Sequence, residues 1–252
     1  MTTLVDLTHP IEPGMVTYPG LPGPQLGLHL SREESRAHYG PGTEFEIGTL
    51  AMVGNTGTYL DAPWHRYPDG VDLADLPLER TAALDGVVVE LRRDGVQAGV
   101  PGAPRGISAL DLASASMATT WVSGRAVLLR TGWDRLWRTP RYGLGAPFLT
   151  ADGAAWLVDH GAVLVGIDAV NIDDMGDPAR PAHTALLAAG IPVLEHLTGL
   201  GGLPVTGFTL HAAPLPVRGL GTVAVRAYAM VPAEPTTVPT TVPTGPTDEG
   251  GA

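Results

Sequence analysis

The stretch "TADGAAWLVDHGAVLVGID", Thr150 to Asp168, sets a helix signal directly before a strand signal. Thr150 suits a helix N-cap and Gly161 a helix end, while His160 stands in the last turn, where a cation suits the helix dipole. "AVLVGID", Ala162 to Asp168, is then a short apolar run without polar alternation, which is the pattern of a strand buried on both faces. A helix followed by a buried strand is the repeating unit of an α/β domain.

Similar runs recur on either side: "TLVDLT" near the start, "FEIGTLAMV" (Phe45 to Val53), "GVVVELR" (Gly86 to Arg92), "AVLLRTG" (Ala126 to Gly132), "IPVLEHL" (Ile191 to Leu197) and "TVAVRAYAMV" (Thr222 to Val231). All are expected to be strands. Between them, "SALDLASAS" opens on Ser108 with Asp111 three residues on, an acidic capping box, and "PAHTALLAAG" runs from Pro181 to Gly190 with proline at its entry and glycine at its exit. The expectation is one α/β domain over residues 1–231, more β-rich in its first half. The Pro- and Thr-rich residues 232–252 have almost nothing to bury and are expected to form a disordered tail.

A net charge of −11, with no lysine in the chain, argues against a nucleic-acid partner and for a small-molecule substrate. No apolar run reaches the length needed to span a bilayer and the first residues lack a signal-peptide pattern, so no membrane association and a cytoplasmic location are expected. With no cysteine, any metal must be held by His, Asp, Glu or weaker oxygen ligands.

Chemistry concentrates in "GNTGTYLDAPWHRYPDG", Gly54 to Gly70. If residues 55–61 are extended, Asn55, Gly57, Tyr59 and Asp61 share one face, and a turn at Ala62-Pro63 brings His65 back over them. Asp61 and His65 would then form an acid–base pair. The same residues read equally well as a Pro-rich loop with a capping aspartate and a surface histidine. Trp64, Tyr18 and Tyr67 are candidates for an aromatic wall against a flat ring, or for plain packing around proline turns. In the acidic loop "GIDAVNIDDMGD" (Gly166 to Asp177), Asp168, Asn171, Asp173 and Asp174 could bind a cation but lack calcium-loop spacing, and a solvated turn or helix capping is the better reading. Glu195 lies in an apolar strand, where a carboxylate is costly unless it has a partner or a task.

Asn55, Gly57, Thr58, Tyr59, Asp61, Pro63 and His65 fill a pattern that resembles His-x-Gly-Thr-His-x-Asp-x-Pro-x-His, the signature of the cyclase superfamily that includes bacterial kynurenine formamidase and isatin hydrolase. "DLTHPIEPGMVTYPG", "LLRTGW" and "HTALLAAGIPVLEHL" resemble further family segments, so the likeness runs from about Leu4 to about Val231. The resemblance implies the swivelling β/β/α fold, a homodimer or higher homo-oligomer, and hydrolysis of an amide, lactam or lactone of a small molecule, aromatic or not. It also implies roles: Asp61 as a metal ligand, His65 as general base, and His183 and Glu195 as the late histidine and glutamate. The two signature histidines are replaced by Asn55 and Tyr59, which are poor ligands for a first-row ion. The first ion position is therefore expected to be empty, with Asn55 and Tyr59 donating hydrogen bonds to the substrate. Any zinc or manganese would sit among Asp61, His183 and Glu195. A metal-free polyketide-type cyclase or dehydratase using His65 and Tyr59 is the alternative.

Overall fold

The computed structural model describes residues 1–18, 20–91, 106–115 and 122–233. Thirteen strands and four α-helices are present among them. In chain order these are β1 (Thr2–Asp6), β2 (Gln25–Leu30), α1 (Arg32–Ser35), β3 (Ile47–Ala51), β4 (Tyr59–Asp61), β5 (Leu84–Glu90), β6 (Gly106–Ile107), α2 (Ala109–Ala115), β7 (Ala126–Arg130), β8 (Phe148–Leu149), α3 (Ala151–Asp159), β9 (Leu164–Ile167), α4 (Pro181–Ala188), β10 (Val193–Glu195), β11 (Thr206–His211), β12 (Thr222–Ala224) and β13 (Tyr228–Pro232).

Nine strands form one sheet in the order β1-β13-β11-β5-β7-β9-β10-β4-β12. The central run β5-β7-β9-β10 is parallel and both flanks are antiparallel. Alternate residues of the central strands feed two cores. Val87, Val89, Val127, Leu129, Val165 and Ile167 pack with Leu112, Leu157 and Leu186 of α2, α3 and α4. On the opposite face Val88, Leu128, Leu164 and Leu194 pack with Leu60, Phe208 and Leu210. These strands are buried on both sides, which is why their sequence shows no alternation.

The three longer helices begin as their sequences imply. Thr150 caps α3 by accepting from Gly153 N–H, and Gly161 follows its end at φ +74°. Ser108 and Asp111 close a capping box on α2. Pro181 opens α4.

Several expectations need correction. Only Ile47–Ala51 of "FEIGTLAMV" is a strand, and it pairs with β2 in a separate, exposed two-stranded ribbon. "TVAVRAYAMV" is two strands, β12 and β13, at opposite ends of the sheet. Residues 55–58 are bent rather than extended, with Gly57 at φ +67°, a conformation open chiefly to glycine. β2 and β11 were not expected at all. Of the tail expected from residue 232, residues 234–252 lie outside the described residues, as do residue 116 of the α2 segment and Arg92. No helix among the described residues is long and apolar enough to cross a membrane.

Candidate functional site

Register builds the site. β4 runs between β10 and β12, so Tyr59 stands opposite Glu195, and Asp61 stands opposite both Val193 and Thr222. Residues two apart share a face of a strand, and cross-strand partners touch, so Tyr59, Asp61, Glu195 and Thr222 meet on one side of the sheet. All four are buried. After β4 a single 3₁₀ turn, Pro63–His65, folds His65 back toward Asp61. Gly221 permits this, since a Cβ there would lie 2.4 Å from His65 N.

Thr222 fixes the histidine. Its hydroxyl donates to Asp61 Oδ1 at 2.5 Å, so toward His65 Nδ1, 2.7 Å away, it can only accept. The ring proton therefore sits on Nδ1 and the lone pair on Nε2, 3.8 Å from Asp61 Oδ1. His183 is held in the same manner. Its Nδ1 lies 2.6 Å from Asp173 Oδ2, and its Nε2 lies 3.4 Å from Asp61 Oδ2 and 3.7 Å from Glu195 Oε1. Asp173 also accepts from the backbone N–H groups of Ala182 and His183, which caps α4 and aims the ring. Burial alone would lower the His183 pKa, but Asp173, Asp61 and Glu195 outweigh it and push the value up to about 10.

Tyr59 has a different task from the one expected. Its hydroxyl donates to Glu195 Oε2, while Ile172 N–H donates to Glu195 Oε1 at 2.5 Å. Burial, then the charges of Glu195 and Asp61, raise the phenol well above its ordinary pKa, and the Asn55 side chain pulls it slightly downward. Burial lifts Glu195 to about 7, against the pull of His183.

Two donor sets can be weighed for a divalent ion. The Asn55 and Tyr59 positions do not fit one, because a neutral phenol whose proton is given to Glu195 offers a first-row ion nothing it prefers. Asp61, His65 and His183 do fit. One ligand atom of each lies within 4.8 Å of the others, and Asp61 Oδ2 is buried with no hydrogen-bond partner. Both rings have Nδ1 tied to an outer partner, the arrangement that presents Nε2 to a metal. Three buried carboxylates, Asp61, Asp173 and Glu195, surround His183, whose imidazolium balances part of their charge when no ion is held; an ion on the deprotonated Nε2 would put a larger positive charge in its place. In this set His65 stands where Glu195 was expected, since both oxygens of Glu195 already accept hydrogen bonds.

These groups face a cleft of about 240 Å³. Asn55, Tyr59, His65, His183, Glu195 and Tyr18 of the expected residues line it. Trp64 and Tyr67 do not: Trp64 is exposed, and the Tyr67 hydroxyl donates to Thr184 O, anchoring α4. Asp168 organises a turn by accepting from Thr131 and Gly132, and Asp173 caps a helix, as the structural reading of the acidic loop held. His196 follows β10 in a left-handed conformation, buried against Tyr59, Trp137 and Tyr142. Sequence reasoning missed Thr222, Arg66 and Arg180, and named Asn171 only as part of the acidic loop. Only Arg180 carried a local signal, as a charged residue directly before Pro181 and three before His183.

Comparison with known proteins fits this picture. The Cyclase family model matches residues 5–174. A kynurenine formamidase of Salinibacter ruber is 31% identical over 229 residues, covering 89% of this chain and 95% of its own. Isatin hydrolase A from Labrenzia aggregata superposes with a TM-score of 0.75 at 24% identity, over 91% of this chain and 94% of its own. A structure described as a potential metal-dependent hydrolase with cyclase activity gives a TM-score of 0.70 at 24% identity, over 92% of this chain and 100% of its own. The chain belongs to the cyclase family.

Proposed function

We propose that the protein hydrolyses an amide, lactam or lactone bond of a small molecule, at a site that retains one ion position and has given up the other. The observation that carries this reading is the convergence of Asp61, His65 and His183, with Asp61 Oδ2 buried and without a hydrogen bond. The names of the relatives, a formamidase and hydrolases, support the reaction class. When bound, a zinc or manganese ion held by these three residues supplies a Lewis acid and a water of lowered pKa.

The remaining work falls to the chain's own groups. Glu195, fixed by Tyr59 and Ile172 beside those donors, takes a proton from the attacking water and returns it to the leaving nitrogen or oxygen. This moves to Glu195 the task the sequence assigned to His65. Asn55 lines the cleft, and its amide N–H donates to the carbonyl oxygen as that atom gains charge. Tyr59 lines the cleft, but its hydroxyl proton is committed to Glu195, which it positions. The cleft volume suits a molecule of one or two rings.

The test is hydrolysis of N-formylkynurenine, isatin and a panel of small lactones by the wild type and by Glu195→Gln. The variant should lose about 100-fold or more in kcat. Full turnover by the variant, or no hydrolysis of any panel member by the wild type, would sink the reading. The partner we propose is a second copy of the chain, since the β2–β3 ribbon exposes Leu26, Leu28, Phe45, Ile47 and Leu50, and a lone two-stranded ribbon is marginal in water. Light scattering should give twice the chain mass.

A further inference from the structure

Arg180 sits at the edge of the cleft in a backbone conformation that side chains avoid. Its φ is 48° and its ψ 59°, the left-handed region in which a Cβ crowds the following carbonyl. The proline after it makes the choice odder still, because a residue before proline is ordinarily driven to extended backbone. Glycine would be the natural occupant. A strained, charged residue at the wall of a site is an observation that calls for a functional reason.

The hydrogen bonds of Arg180 supply one. Nη1 donates to Asn171 Oδ1 at 3.4 Å and to Asp174 O at 3.2 Å, and Nη2 donates to the Tyr18 hydroxyl at 3.1 Å. All three acceptors are uncharged oxygens, so they hold the guanidinium in place without neutralising it. Of its five N–H groups, three serve these bonds, while Nε–H and one hydrogen of Nη2 are left for a ligand, and a guanidinium with two donors to spare suits a carboxylate. Arg180, Tyr18 and Asn171 all line the same cleft as His65, His183 and Glu195, and Arg66 lies on its rim as a second guanidinium. The larger cleft, of about 580 Å³, offers no comparable group: its arginine, Arg138, is already paired with Glu12.

We infer that Arg180 is a specificity-determining residue, which binds a carboxylate carried by the substrate apart from the bond that is cleaved. The substrate class is then a small amide, lactam or lactone that is itself a carboxylic acid. Tyr18 and Asn171 are positioning residues for the guanidinium. The inference rests on the hydrolase reading only for the identity of the cleaved bond. Recognition of the anion stands on the Arg180 geometry.

The test compares benzoate with benzamide, two probes of one shape that differ in charge, titrated by calorimetry into the full chain. Benzoate should bind at least tenfold more tightly than benzamide. Arg180→Gln and Arg180→Gly should each abolish the preference, and Arg180→Lys should retain part of it. The glycine variant relieves the backbone, so its unfolding midpoint should stay level or rise, and loss of binding there cannot be laid to misfolding. Equal binding of the two probes by the wild type, or a preference that survives Arg180→Gly, would overturn the inference. If the benzoate preference depends on Arg180 but no amide or lactone is turned over, the hydrolase reading fails and the subsite remains. If neutral amides are hydrolysed as fast as their carboxylated counterparts, the subsite fails and the hydrolase reading remains.

Discussion

Thr222 is the residue on which the orientation of His65 depends, because its one proton goes to Asp61 and its lone pair receives His65 Nδ1–H. Thr222→Val should leave both neighbours without that partner and cost about 10- to 100-fold in kcat, with Thr222→Ser restoring most of it. A valine variant with full activity would show that the His65 ring is held by something else. Tyr59→Phe removes the proton donated to Glu195 Oε2 inside a fully buried pair, and should cost about 2 kcal/mol in denaturant unfolding. An unchanged unfolding midpoint would contradict the bond. Neither partnership was legible in the sequence. Thr222 lies 161 positions from Asp61, in a run that reads as an ordinary strand, and only the β4–β12 register brings the two together. That Asp61, His65, His183 and Glu195 meet could, in contrast, be expected from the segments that resemble family motifs, and the fold brings the four together.

At the scale of elements, α4 links stability to the site. Asp173 accepts from two N–H groups of the helix's first turn and from the His183 ring at once. Asp173→Asn should therefore lower the unfolding free energy by about 1 kcal/mol and weaken zinc binding about 10- to 100-fold. Thermal unfolding and a zinc titration check both, and a variant with unchanged zinc affinity would remove His183 from the donor set. The helices were legible because their caps are local: Thr150, Ser108 with Asp111, and Pro181 each mark a start within a few residues. The inner strands were legible from composition. What failed was apolar content as a guide in the ribbon, where β3 reads like a core strand yet exposes Ile47 and Leu50. The bend at residues 55–58 was equally hidden, since Gly57 adopts a backbone that alternation rules do not anticipate.

At the scale of the whole molecule, two buried histidines make the fold sensitive to acid. His196 is fully buried, and burial, helped by the nearby His9, lowers its pKa to about 3. The unfolded chain takes up this proton near pH 6.5, but the native state refuses it until about pH 3, so stability falls as pH drops through that window. From pH 7 to pH 5 this one group should cost about 2 kcal/mol, and His196→Gln should be correspondingly less pH-sensitive in urea unfolding, whatever its stability at pH 7. Parallel pH profiles for the two proteins would show that the ring is already charged when folded.

The measurement that bears most directly on the account is metal content by mass spectrometry, made on untagged wild type, Asp61→Asn and Tyr59→Phe. One zinc or manganese per chain is predicted for the wild type, lost in Asp61→Asn and retained in Tyr59→Phe, because Tyr59 serves Glu195 and not an ion. Two ions per chain, or an ion that disappears with the Tyr59 hydroxyl, would contradict the site as assigned, and so would a wild type that holds none.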